Sequence, residues 1–222
     1  MNTTKLASIL SIIVTVLILS GCATAPVMTP LKPPAGVPGT YHKVEKGQTL
    51  WRISKTYGVD LDEIIKFNRI SDVTKIEVNQ LIFIPRASGR KTVSSVSSDE
   101  DFIWPIKGKV ISTFGATYDN VINKGLNIEP YYNGDVIASR GGRVVFYSDK
   151  LESFGKTLII DHGDGLLTVY SRNSKVFVKL GDNITRGTLI AKAGKSKRGK
   201  KEYLHFEIRK NSIPQNPYYF LP

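Results

Sequence analysis

Hydrophobic and polar residues alternate with a period of two along most of the second half of the chain. In the run "YLHFEIR", from Tyr203 to Arg209, Leu, Phe and Ile alternate with Tyr, His and Glu, which is the pattern of a strand with one packed face. From Phe102 onward similar runs, separated by turns that contain Gly or Asp, recur about every ten residues. They include "KVISTFG", "GRVVFYS", "TLIIDHGDG", "LLTVYS", "KVFVKLGD" and "TLIAKAG". The pattern predicts an all-β sandwich or barrel-like sheet, with the apolar C-terminal "NPYYFLP" packed against it.

The preceding segment, Tyr41–Pro85, has a different pattern that includes helical periods. The segment Gln48–Val59 places Leu50, Ile53 and Tyr57 on one helical face, with Thr49 as the N-cap and Gly58 at the end. The run "DLDEIIKFN" predicts a second short helix, and "YHKVEKG" and "NQLIFIP" predict flanking strands. Strand, helix, helix and strand in this order predict a small α+β module.

The N-terminus has the features of an export signal. Lys5 precedes the apolar stretch 6–19, which is short for a membrane span but suits a signal-peptide core. The following "LSGC" ends at Cys22, the one cysteine of the chain, and resembles a bacterial lipobox. The resemblance implies a signal peptide over 1–21, lipidation of Cys22 and, in a Gram-negative host, anchoring to the outer membrane on its periplasmic side, because Ala23 is not the Asp that favours inner-membrane retention. An ordinary signal peptide followed by a chance Cys is the alternative.

Two further segments lack a pattern for a folded core. Residues 22–40 are rich in Pro and predict an extended, lipidated tether. Residues 86–101 are rich in Ser and predict a linker between two domains, 41–85 and 102–222. The chain has 31 Lys and Arg against 19 Asp and Glu, a formal net charge of +12, which favours a negatively charged partner. Export argues against nucleic acid as the partner, and a basic surface that contacts only solvent is the alternative.

The segment 41–85 resembles a LysM domain along its whole length, through "KGQTLWRIS", "LDEIIKFN" and "VNQLIFIP". The resemblance implies binding to the N-acetylglucosamine chains of peptidoglycan. A module that retains the fold but has lost its affinity for sugar is the alternative. The residues that would line the sugar site by this resemblance are Gly47, Gln48, Thr49, Leu50, Asn79 and Gln80.

The segment 102–222 resembles the LytM, or lysostaphin-like, zinc endopeptidases of peptidoglycan. The blocks that carry the match include "WPIKGKVISTFG", "NKGLNIEP", "FGKTLIIDHGDGLLTVYSRNSK" and "YLHFEIR". Active members bind zinc through a His, an Asp four residues later and the second His of a His-x-His pair, while two further His assist catalysis. Three protein ligands leave one zinc position for a water whose pKa falls to about 7.

Most of these residue types are replaced in this chain. The first ligand position is Asn123 and the second is Asn127, whereas the third is retained as His205. The two assisting His positions are Arg172 and Tyr203. Neutral amides are weak zinc donors, and Arg172 places a fixed positive charge where a dication would bind. The resemblance therefore implies a degenerate site with no catalytic residue, no metal and no cofactor.

The remaining histidines and a basic loop complete the set of candidates. We interpret His162, in the turn "DHGDG", as a packing residue, and His42 belongs to the first module. The scaffold predicts a groove lined by Asn123, Asn127, Arg172, Tyr203 and His205, which we interpret as a binding site for a protein partner. A basic rim for an acidic partner is predicted beside it, although a solvated loop is the alternative; the rim residues are Lys195, Lys197, Arg198, Lys200 and Lys201.

A lipobox, a LysM segment and a degenerate LytM segment together resemble the NlpD-like murein-hydrolase activators. This resemblance implies a protein that is not an enzyme, that binds peptidoglycan and that activates an N-acetylmuramoyl-L-alanine amidase during cell separation. The first alternative is a lipoprotein that tethers the membrane to peptidoglycan without activating an amidase. The second is an active zinc murein endopeptidase, which the missing ligands disfavour.

Overall fold

The computed structural model describes residues 36–72, 76–86, 101–118, 120–152, 154–195 and 202–222. The predicted signal peptide, Cys22, most of the tether and most of the linker lie outside the described residues. Four residues of the predicted basic rim, all except Lys195, also lie outside them. In the part of the chain that is described, no helix is long and apolar enough to cross a membrane.

The first described module has the predicted strand, helix, helix, strand order. Strand β1 (Gly39–Lys43) pairs antiparallel with β2 (Leu81–Pro85), and helices α1 (Leu50–Tyr57) and α2 (Leu61–Asn68) lie between them in sequence. Pairing of Gly39 with Pro85 makes Gly39 and Thr40 part of β1. The structure therefore ends the predicted tether two residues earlier than the sequence pattern did.

Capping residues set the bounds of both helices. The Thr49 side chain accepts a hydrogen bond from the Arg52 backbone N–H (3.2 Å), as the predicted N-cap of α1. Gly58 ends α1 with φ +64°, a left-handed conformation that Gly adopts without strain. Asp60 caps α2 by accepting from the Asp62 backbone N–H at 2.8 Å.

The second module is almost entirely β, as predicted. Its strands, in chain order, are β3 (Gly108–Ser112), β4 (Thr117–Tyr118), β5 (Val121–Ile122), β6 (Leu126–Pro130), β7 (Asp135–Ile137), β8 (Gly142–Leu151), β9 (Gly155–Asp161), β10 (Leu166–Val176), β11 (Asn183–Ile184), β12 (Leu189–Lys195), β13 (Glu202–Lys210) and β14 (Ile213–Gln215). All except β4 and β5 belong to one sheet, in which β13 is flanked by β6, β10, β12 and β14. A 3-10 turn (Pro217–Tyr219) follows, and the buried Phe220 and Leu221 anchor the C-terminal tail to the core, as predicted.

Strand β10 changes its partner halfway along. Its first part, up to Ser171, pairs with β13, whereas its second part, from Asn173, pairs with β12. The residue between them, Arg172, has φ +63°. A non-Gly residue in the left-handed region is uncommon and is found where surrounding structure enforces it. This fork places Arg172 where three strands of the predicted site meet.

Candidate functional site

The face of β13 opposite the core carries three of the chemically interesting side chains. Leu204, Phe206 and Ile208 are fully buried on the core side, as the alternation predicts. The expectation of an open opposite face is wrong, because Tyr203 is 1% and His205 7% exposed. Side chains from neighbouring strands and from the β8–β9 turn cover this face, as described below.

Both ring nitrogens of His205 are engaged by neighbouring side chains. Its Nδ1 lies 2.7 Å from Asn127 Oδ1, and its Nε2 lies 3.0 Å from Glu207 Oε1. The Phe154 ring packs on the imidazole at a centroid distance of 5.6 Å. His205 is therefore held in a hydrogen-bonded network and shielded by an aromatic ring.

Glu207 is the buried anion of this network. It is 2% exposed, and its second oxygen accepts a hydrogen bond from Arg209 Nε at 2.6 Å. Burial alone would raise the pKa of Glu207, but hydrogen bonds and charges from His205 and Arg209 hold that pKa below its ordinary value. The carboxylate consequently stabilises the fold at neutral pH, and this contribution is lost only as the pH falls through the lowered pKa.

Asn123 connects two segments near β6. Its Nδ2 donates to Ser112 Oγ (2.9 Å) and to the Ser112 carbonyl (3.3 Å), while its Oδ1 accepts from the Gly125 N–H (3.0 Å). The side chain is buried. Both ends of the amide are thus used to hold the start of β6 against β3.

Arg172 and Tyr203 form a cation–π pair. The guanidinium carbon lies 4.8 Å from the centre of the Tyr203 ring, and the Arg172 backbone N–H donates to the Phe154 carbonyl at 2.7 Å. The same hydrogen bond fixes the β8–β9 turn next to the fork in β10. At Gly194 of β12, a Cβ would lie 2.7 Å from the Arg172 carbonyl, so the fork requires a residue without a side chain there. The structure therefore brings all five predicted groove residues to one region of the sheet.

The donor set does not fit a zinc ion. The two Asn amides are neutral and hydrogen-bonded within the protein, both nitrogens of His205 have partners, and Arg172 adds a positive charge. Within the described ranges, no three His, Cys, Asp or Glu side chains are grouped so that they could hold a metal ion. Zinc at this site would require His205 to release its partners and would still have one strong ligand.

The purified chain is therefore expected to hold no more zinc than a buffer blank after incubation with equimolar zinc and gel filtration. The physical reason is the loss of the carboxylate and imidazole ligands that supply the zinc affinity of active LytM-type sites. Inductively coupled plasma mass spectrometry measures the result, with an active LytM-type zinc endopeptidase as the positive control. One zinc per chain that disappears in His205→Ala would contradict this assignment.

A row of apolar side chains next to the site was not found from the sequence. Phe146 lies opposite Ile159, which lies opposite Val169, which in turn lies opposite Glu207. Residues that face each other across antiparallel strands point to the same side of a sheet. This apolar row (Phe146, Ile159 and Val169) is therefore on the same side as His205, and Phe146 is 36% exposed.

The signal for the apolar row is present in the sequence, although it is weak. In "TLIID" the residue Ile159 stands between two core residues, Leu158 and Ile160, and a continuous apolar run indicates a strand with both faces covered. Phe154, which is 39% exposed, offered no periodic signal because it lies in a turn.

The other histidines have structural partners. His162 donates from Nδ1 to the Gly141 carbonyl at 2.8 Å, and its Nε2 lies 2.7 Å from Thr168 Oγ1. Burial lowers the pKa of His162 to about 4, more than the hydrogen bond to Gly141 raises it. His42 Nε2 lies 2.7 Å from Gln48 Oε1 in the first module.

The residues of the predicted sugar site lie at one end of the first module. Two backbone hydrogen bonds join their loops, from Val44 N–H to the Gln80 carbonyl and from Asn79 N–H to the Val44 carbonyl. Gly47 and Asn79 are exposed, whereas the Leu50 side chain is 1% exposed. Leu50 consequently has little side-chain surface for a sugar and belongs to the core of the module; Gln48, Thr49 and Gln80 are half-buried.

Comparison with known families identifies two segments. The profile of the LysM domain matches residues 42–85, and the profile of Peptidase family M23 matches residues 121–217. These matches confirm the predicted fold class, a LysM module followed by a mostly-β domain of the M23, or lysostaphin-like, type.

The chain is also similar to individual proteins. It is 29% identical to the lipoprotein YgeR of Escherichia coli strain K12 over 208 residues, which cover 83% of this chain and 82% of that protein. It is 37% identical to the murein hydrolase activator NlpD of the same strain over 119 residues, which cover 54% of this chain and 31% of that protein. This chain thus spans about a third of the length of NlpD. A chain of the SpoIIQ–SpoIIIAH pore-forming complex shares 30% identity and a TM-score of 0.50, over 56% of this chain and 92% of that chain.

Proposed function

We propose that this chain, in which a LysM domain precedes a domain of peptidase family M23, binds peptidoglycan and activates an N-acetylmuramoyl-L-alanine amidase without cleaving the wall itself. The relatives named murein hydrolase activators support activation, and the LysM domain supports binding to peptidoglycan. Similar proteins are named lipoproteins, which supports attachment to a membrane. Lipidation at Cys22 and placement in the outer membrane, facing the periplasm, are the finer parts of the proposal.

The observation that carries the proposal is the hydrogen-bonded state of the residues at the three zinc-ligand positions of the LytM resemblance. The side chains at these positions are hydrogen-bonded within the protein. Asn127 and His205 bond to each other, and Asn123 bonds to neighbouring parts of the scaffold. A hydrolase must instead present such atoms to a metal, a water or a substrate. The retained sheet with an unreactive site is better suited to binding a protein than to hydrolysis.

The proposed binding surface combines a cation with exposed aromatic rings. Arg172 supplies the guanidinium at the fork, and Phe154 and Phe146 supply exposed apolar area on the same side of the sheet. Arg and aromatic residues are enriched among the residues that dominate binding energy at interfaces. Lys195, which is exposed at the end of β12, and the other basic residues of the rim would attract an acidic partner.

Activation follows from a difference in affinity between two states of the amidase. In the proposed mechanism a helix of the amidase blocks its own zinc site at rest, and this chain binds that helix or the region that controls it. The chain increases the active population only as far as it binds the open amidase more tightly than the closed one. Equal binding to both states would leave the rate unchanged.

Reconstitution with each periplasmic amidase of the host tests the proposal. Dye-labelled peptidoglycan is incubated with the amidase alone, with this chain alone and with both, and the release of dye is measured. Stimulation of one amidase, with no release by this chain alone, supports the proposal. Cosedimentation with peptidoglycan sacculi and no effect on any amidase would instead favour the tethering lipoprotein, and zinc-dependent release by the chain alone would favour an endopeptidase.

A further inference from the structure

Helix α1 contacts the M23 domain through a buried tryptophan. Trp51 is 3% exposed, and its ring meets Phe102 edge-on at a centroid distance of 5.6 Å and Phe220 at 6.4 Å. Phe102 comes directly after the predicted linker and Phe220 belongs to the C-terminal tail. The Trp51 side chain of the LysM module thus packs between the N-terminal and the C-terminal segments of the M23 domain.

A buried arginine completes this aromatic cluster. The Arg140 guanidinium carbon lies 5.3 Å from the Trp51 ring centre and 5.5 Å from the Phe102 ring centre, and Arg140 is 7% exposed. Cation–π contacts are strongest when they are shielded from water, as this one is. Phe102 also packs edge-on against His162 at 5.5 Å, which connects the cluster to the end of β9.

Three charged pairs also join the two modules. Arg52 of α1 forms an ion pair with Asp101, and Lys55 Nζ lies 3.3 Å from an oxygen of Asp164 in the β9–β10 turn. A third pair joins Lys210, at the end of β13, to Asp60 at 3.0 Å. The two lysine pairs are exposed to solvent, whereas the Arg52–Asp101 pair is partly buried. Exposed ion pairs add little binding energy, so the buried rings supply most of the attraction.

We infer that these contacts form a seam that joins the LysM and M23 domains into one rigid body. The seam consists of Trp51, Phe102, Arg140 and Phe220 together with the three ion pairs between the modules. Two domains connected only by the predicted linker would reorient independently, and each would then need to cover its own apolar surface. The seam instead covers Trp51 with residues of the other domain.

The seam and the proposed binding surface lie at different positions along the same two strands. On β10 and β13 the seam lies at the end where Leu166 pairs with Lys210, and the site lies where Ser171 pairs with His205. These two pairs are five positions apart along the strands, which is a distance of about 17 Å. A rigid seam therefore keeps the LysM domain away from the site, so that a chain bound to glycan presents the sheet face at a fixed distance. This inference does not depend on which partner the face binds.

Fluorescence of Trp51 in the full chain tests the seam. The chain has two tryptophans, so Trp104→Phe leaves Trp51 as the one reporter. We expect Trp51 in this background to be strongly shielded from acrylamide. Arg140→Ala should raise its quenching constant several-fold, because a change in the M23 domain reaches Trp51 only through the seam. Arg143→Ala, an exposed arginine three residues later, is the matched control and should have no effect.

Circular dichroism distinguishes opening of the seam from unfolding. If Arg140→Ala loses β structure, Phe220→Leu is the second variant, since it trims the cluster from the C-terminal tail and keeps an apolar side chain. Increased quenching with unchanged circular dichroism in either variant supports the seam. Two results would overturn the seam. Trp51 in the starting chain could be as accessible to acrylamide as a free indole, or its quenching could be unaffected in both folded variants.

Discussion

Replacement of Arg172 by Glu should reduce stimulation of the partner amidase at least about 30-fold, equivalent to about 2 kcal/mol of binding free energy. The change removes the cation that stacks on Tyr203 and places a negative charge at the fork of β10. An acidic segment of the partner would then meet a like charge, which costs more than the loss of a contact. Dye release from peptidoglycan, measured against the concentration of the variant, gives the size of the effect.

Two variants separate this local effect from a change in overall charge or folding. Arg143→Glu makes the same charge change at an exposed position near the start of β8 and should leave stimulation within about twofold of the original chain. Arg172→Lys keeps the charge but loses the planar group that covers Tyr203, so it should have an intermediate effect. Full stimulation by a folded Arg172→Glu variant would refute the proposed surface while leaving amidase activation itself open to test.

The elements that could be predicted from the sequence are those determined by local interactions. The helix α1 was placed to within a residue or two because Thr49 and Gly58 cap it through bonds inside the same short segment. Strand β13 was evident from its alternation, and the packed face carries Leu204, Phe206 and Ile208 as expected. Such features need no knowledge of distant residues.

The site was only partly accessible from the sequence. Correspondence with the M23 pattern selected residues that the fold does bring together, such as Asn127 and His205, which face each other on β6 and β13. The burial of Tyr203 was not predictable, because it depends on Arg172, whose direction is set by the left-handed backbone at the partner change in β10. Phe154 was missed for a similar reason, since only the turn between β8 and β9 brings it onto His205.

The seam depends on contacts between residues far apart in the chain. Asp101 appeared to be the last residue of a linker, yet it pairs with Arg52 some fifty positions earlier. Trp51 lies outside the helical face that Leu50, Ile53 and Tyr57 define, and the pattern of α1 does not indicate which surface it covers. Composition and periodicity report that a side chain will be buried, whereas the partner that buries it is a property of the tertiary fold.

Acidification should destabilise the fold by about 3 kcal/mol as the pH falls from 7 to below 4, because His162 must take up a proton in a buried site. The pKa of His162 is lowered from 6.5 to about 4 in the folded chain, chiefly by burial. The neutral ring donates from Nδ1 to the Gly141 carbonyl, so its Nε2 has a lone pair that accepts from the Thr168 hydroxyl. Protonation would replace that acceptor with a donor. The unfolded chain binds the proton first, so stability is full above pH 6.5 and is lost as the pH falls towards 4.

Urea unfolding monitored by circular dichroism between pH 7 and pH 4 measures this dependence, and His162→Gln identifies its source. A glutamine at this position still has an N–H for Gly141 and an oxygen for Thr168, but it does not titrate. The variant should therefore lose some stability at pH 7 and show a much smaller decline between pH 6.5 and pH 4. Glu207 affects a different interval, because its lowered pKa makes its contribution disappear only below the ordinary carboxylate range. An unchanged slope in His162→Gln would show that another group, and not this imidazole, controls the acid sensitivity of the fold.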